Sequence, residues 1–132
     1  MKKIIIIVAV VLVVAGAAVY FFFLKPPPEP ETIYYSPGSH FITNVKDSTR
    51  LLKATIVIEI STTDEAGVTE YLTENNHIVR DIILFTLCEK TEEELRATGV
   101  QEMLRDTIVS KLNKDMEIDY VQTIYFNDYV IQ

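Results

Sequence analysis

The sequence predicts one membrane-spanning helix followed by a small α+β domain, an antiparallel sheet with helices packed on one side. Three observations carry this. Ile4–Leu24 is a run of 21 residues without a charge. From Lys25 onward 43 of 108 residues are apolar, an ordinary globular proportion, although the whole chain stands at 48%. Within that second part the patterns follow the order strand, strand, helices, strand.

A helix over Ile4–Leu24 reaches roughly 32 Å, enough for a hydrocarbon core of about 30 Å. Lys2 and Lys3 precede the run and Lys25 follows it. The positive-inside tendency therefore keeps residues 1–3 in the cytoplasm and exports the rest. A cleaved signal peptide is the rival reading, with Ala15-Gly16-Ala17 as the small-residue site. Cleavage there would leave Tyr20 and Phe21–Phe23 as a bare aromatic strip, so the anchor is preferred. Four prolines among the seven positions of Lys25–Glu31 favour an extended, semi-rigid stalk of roughly 20 Å. Residues 25–40 are assigned to this linker and 41–132 to the exported domain.

Phe41–Val45 reads as a short strand, Asp47-Ser48-Thr49 as a turn, and Lys53–Ile60 as a half-buried strand with Ala54, Ile56, Ile58 and Ile60 on one face. Thr63-Asp64 can cap a helix carrying Val68, Tyr71, Leu72, Val79, Ile82 and Ile83, with Asn75-Asn76 as a break. Thr91 and Glu94 have capping-box spacing, Gly99 closes that short helix, and Val100, Met103, Leu104, Ile108 and Leu112 form the next apolar stripe. Ile118–Ile131, without proline or glycine, reads as a long closing strand. Apolar residues fall on both of its faces, Ile118, Tyr120, Ile124 and Phe126 against Val121, Tyr125, Tyr129 and Ile131. One face packs on the helices and the other stays partly open for a partner.

Residues 26–132 hold 9 basic and 19 acidic side chains. Such a surface repels phosphate, which argues against nucleic-acid binding. The single cysteine, Cys88, cannot form an internal disulfide, and His40 and His77 lack metal-ligand spacing, so neither a metal nor a cofactor is expected. Glu92, Glu93 and Glu94 sit where a helix dipole favours carboxylates. No glycine-rich phosphate loop and no nucleophile-base pair stand out, and an enzyme is not expected.

Several segments together resemble the flagellar basal-body-associated FliL family. They are the span and proline linker, Phe41-Ile42-Thr43-Asn44-Val45, Arg50-Leu51-Leu52-Lys53, Arg80-Asp81-Ile82-Ile83 with Leu87, Leu104-Arg105 after Gly99, and the closing stretch Val121–Gln132. Leu52, Val45 and Cys88-Glu89 depart from the residues common there. The resemblance implies a stomatin-type (SPFH-like) exported domain in the inner membrane at the flagellar basal body. It further implies a homo-oligomeric ring around the ion-driven stator proteins that supports their activity, torque and swarming. Candidate interaction residues are Asn44, Arg50, Arg80, Asp81 and Phe126. Arg80 and Asp81 suit either an intersubunit contact or a solvated helix face, Asn44 suits a backbone bond in the turn, and Phe126 suits the core. Two other functions remain open: an anchored adaptor of another envelope complex, and a secreted ligand-binding domain released by cleavage.

Overall fold

The computed structural model describes residues 1–132. Helix α1 (Lys2–Val19) continues through a π-helical turn, Tyr20–Leu24, and none of its residues is buried. A helix apolar on every side and packed on nothing is one that lipid can surround. It is long and apolar enough to cross a membrane by length and composition. Lys25 lies with its Nζ 5.5 Å from the centroid of the Phe21 ring. Residues 25–30 then run without regular structure, as prolines lacking N–H donors dictate.

The sheet is built on β3 (Leu51–Thr62), whose Leu52, Ala54, Ile56, Ile58 and Ile60 are all fully buried. β4 (Val121–Ile131) pairs antiparallel along nearly its whole length. The opposite edge is shared end to end by β1 (Glu31–Tyr35), which pairs with Ile58–Thr62, and β2 (Phe41–Asn44), which pairs with Leu51–Ala54. β1 corrects the expected linker: residues 31–35 are sheet, and the stalk ends at Pro30. Its sequence, Glu-Thr-Ile-Tyr-Tyr, alternates over only two inward positions, Ile33 and Tyr35, and the overhang of β3 supplies the partner that makes it a strand.

Helices α2 (Glu65–Glu74), α3 (Asn76–Cys88), α4 (Glu92–Arg96) and α5 (Val100–Asp115) follow β3. Asp64 caps α2 by accepting from the Gly67 N–H at 3.0 Å. Thr91 and Glu94 complete the capping box of α4. Gly99 adopts φ +80°, the left-handed turn that separates α4 from α5. At the other end of α5, Glu117 N–H donates to the Lys114 carbonyl and Ile118 N–H to the Asn113 carbonyl, a Schellman closure. Glu117, not glycine, occupies its left-handed position at φ 55°. Val79, Ile83 and Leu87 of α3 and Leu104, Ile108 and Leu112 of α5 bury their stripes in the core with the β3 row. Each such side chain contributes about 1.5–3 kcal/mol of apolar burial.

β4 corrects a second expectation. Its register slips between Thr55 and Ile56 and again between Glu59 and Ile60, leaving Asn127 and Gln122 as extra residues. Each bulge reverses the inward parity. Val121, Ile124, Phe126, Tyr129 and Ile131 therefore all face the helices, and the outward face keeps Tyr125 and Val130. The apolar residues that alternation divides between two faces belong mostly to one.

Candidate functional site

The corner between β1 and β2 is held by polar side chains from α3. The Arg80 Nη1 donates to the Pro37 carbonyl and Nη2 to the His40 carbonyl, both at 3.0 Å, and the guanidinium stacks 4.5 Å from the Phe41 ring centroid. Asn76 Nδ2 also donates to Pro37, at 3.3 Å, while the Tyr35 hydroxyl lies 3.0 Å from the Leu72 carbonyl and 3.1 Å from Asn76 Oδ1. Burial pushes the Tyr35 phenol above its ordinary pKa. Gly38, at φ +139°, lies under the guanidinium, and a Cβ there would run into Arg80 Nη1. Arg80 is thus a positioning residue for its own chain. Its neighbour Asp81 is exposed and makes no ion pair.

The remaining sequence candidates separate. Arg50, at the β2–β3 turn, meets Glu92 at 3.4 Å, and Arg96 meets the same carboxylate at 3.0 Å. Both arginines are about half exposed, so these pairs contribute little. Asn44 is exposed at the end of β2, where its backbone pairs with Leu51. Phe126 is half-buried and packs edge to face on Tyr129 at 5.6 Å, and the Tyr129 hydroxyl donates to the Leu95 carbonyl at 2.9 Å. Ile4 lies in α1 and Leu24 closes the π-helical turn.

Beside Asn44 the surface opens into a groove of about 450 Å³ between β2 and α3, lined by Ile42, Leu51, Leu84, Phe85 and Cys88 among others. Ile42 and Phe85 are 57% and 58% exposed, large apolar side chains open to solvent along this groove. Neither is among the candidate interaction residues, although the signal is local. Ile42 falls between inward Phe41 and Thr43, and Phe85 lies off the buried stripe of α3. The Cys88 Sγ approaches the Phe85 carbonyl at 3.5 Å, and His40 sits beside Thr55, also at 3.5 Å. On the helix-free face of the sheet the Tyr125 hydroxyl donates to Glu59 at 2.7 Å, and this bond raises the phenol pKa.

The two edges of the sheet are unequal along their length. Asn113 of α5 donates to the Val121 carbonyl at 2.9 Å and accepts from its N–H at 3.2 Å, and Arg105 donates to the Ile124 carbonyl at 2.8 Å. No side chain bonds the β4 backbone beyond that point, from Tyr125 to Ile131, nor the β2 backbone from Phe41 to Asn44. The arrangement offers surfaces for association.

Residues 34–132 match the family model described as Flagellar basal body-associated protein FliL. The chain is also 29% identical over 103 residues to the Flagellar protein FliL of Aquifex aeolicus (strain VF5). That alignment covers 76% of this chain and 62% of the relative, so the chain spans less than two thirds of that protein's length.

Proposed function

The chain belongs to the FliL family of flagellar basal body-associated proteins, and on that premise we propose that it is a membrane-anchored accessory of the flagellar motor. Copies assemble into a ring around the stator units and support their activity, torque and swarming. The observation that carries this reading is the match over residues 34–132 on a chain that opens with an apolar helix of membrane-spanning length. Residues 1–3 lie in the cytoplasm, 4–24 cross the inner membrane, and the stalk lifts a stomatin-like domain outside it. A ring that binds the active stator arrangement more tightly than the inactive one shifts the population by that difference in affinity alone. The protein works as a scaffold and not as an enzyme.

The test is to purify the tagged full-length chain from motile cells in mild detergent, with crosslinking and mass spectrometry. Crosslinks from the domain to the stator subunits and to other copies are expected. Recovery with a different envelope machine would replace the motor by a general adaptor role. Recovery as a soluble monomer lacking residues 1–17 would make the chain a secreted ligand binder.

A further inference from the structure

Both edges of the sheet leave the same stretch of β3 flanked by bare backbone. On one side β2, Phe41–Asn44, pairs with Leu51–Ala54; on the other Asp128–Ile131 pairs with Leu52–Thr55. Nearer the stalk single points of the edges are held by side chains, the β1–β2 corner by Arg80 on the His40 carbonyl, and β4 by Arg105 at Ile124 and Asn113 at Val121. An unpaired strand edge is a template for another strand, and proteins ordinarily block it. Here neither window has a side chain on its backbone, and the two lie opposite the same residues of β3.

We infer that a second copy of this chain occupies each window, the open end of β4 in one copy adding to β2 of the next. Three observations select this occupant. The stalk joins the sheet at Glu31, opposite Thr62, and the windows lie about 25–35 Å further along β3, which places them away from lipid. Copies anchored through identical stalks stand at one height, so a lateral contact joins equal levels, and these windows are at equal levels. Second, Ile42, Lys53 and Val130 form one row across the helix-free face, with Ile42 57% and Val130 46% exposed at its two ends. Edge addition makes Val130 of one copy the cross-strand neighbour of Ile42 in the next, covering both. Third, the flanks carry opposite charge. With the internal Arg50–Glu92 pair set aside, residues 41–53 and 80–90, around β2, hold four basic and three acidic side chains; residues 91–106 and 125–132, around the end of β4, hold two basic and five acidic. Unlike charges meet in a head-to-tail contact, whereas an isologous contact would set each flank against itself. Because β2 and β4 both run antiparallel to β3, the new pair is parallel. Phe85 and Leu84, on the groove beside β2, receive the helix-side residues of the incoming strand.

This rests on the ring proposed above, and the experiment separates the two. Full-length chains carrying Cys88→Ser receive Ile42→Cys, Val130→Cys or both, are reconstituted in liposomes, and are treated with a short bis-maleimide. The double variant is expected to give a ladder of multimers, a mixture of the two single variants to give dimers, and either single variant alone to stay monomeric. Dimers from one single variant would overturn the head-to-tail contact. Absence of the ladder, while an amine-reactive crosslinker still yields multimers, would overturn the interface and leave the ring standing. Failure of both reagents would remove self-association, and with it the ring and this interface together. Val130→Lys is a second check: it is expected to abolish amine-crosslinked multimers with an unchanged thermal melt.

Discussion

The two ends of the sheet treat their backbone differently. Toward the stalk three points are closed by side chains: Asn113 mimics a strand partner for Val121, Arg105 covers Ile124, and Arg80 with Asn76 ties down the β1–β2 corner. At the far end β2 and the last residues of β4 are uncapped, and Ile42, Phe85 and Val130 stand in solvent. Polar groups that hold a fold are satisfied within the chain, whereas groups left open and apolar are free to be satisfied by another molecule. Stability and association are thus placed in separate parts of one small domain.

Truncating the clamp breaks that division most severely. Arg80→Ala leaves the Pro37 and His40 carbonyls short of donors and strips the cation from the Phe41 face, and is expected to cost about 2–3 kcal/mol in denaturant unfolding. Phe85→Ser at the open end should move stability by no more than about 0.5 kcal/mol. Equal losses from the two variants would abolish the contrast. Asn113→Ala, which unpairs both backbone groups of Val121, should cost about 1–2 kcal/mol and speed amide exchange at Val121 before exchange at Val130 changes.

A gain is expected at one strained point of the closed end. Glu117 holds φ 55° in a Schellman closure that glycine adopts freely, so Glu117→Gly should stabilise by about 1 kcal/mol, read as a raised melting temperature. The smallest effect concerns acid. The Thr91 backbone N–H and hydroxyl hold the Glu94 carboxyl below its ordinary pKa. A lowered folded-state pKa contributes stability that is present above the ordinary glutamate value and lost as pH falls through the folded value. Glu94→Gln should therefore flatten the acid limb of a stability-pH curve and leave its neutral plateau shape unchanged.

Much of this architecture is legible in local pattern. The strict alternation of Ala54, Ile56, Ile58 and Ile60, the capping box at Thr91 and Glu94 and the break at Asn75-Asn76 each act over a few residues, and each appears where the pattern places it, whereas Gly99, expected to close α4, stands as the N-cap of α5 and α4 ends at Arg96. β1 was hidden because two inward residues beside a proline run carry almost no periodic signal. The true face of β4 was hidden because two bulges reverse parity within eleven residues. Of the candidate residues, Arg80 is informative in an unexpected direction: its partners at Pro37 and His40 lie some forty positions away, and no spacing rule connects them.

Sequence alone determined what depends on neighbours along the chain: the apolar span, the stiff proline stalk, the helix caps, and the buried row of β3 that organises the domain. Tertiary structure decided what depends on neighbours in space. Pairing with the overhang of β3 made residues 31–35 a strand, the bulges chose the inward face of β4, and α3 and α5 decided which edge groups found donors. The physical reason is that backbone geometry and solvent preference act residue by residue, whereas a hydrogen bond between distant segments exists only after packing has brought them together.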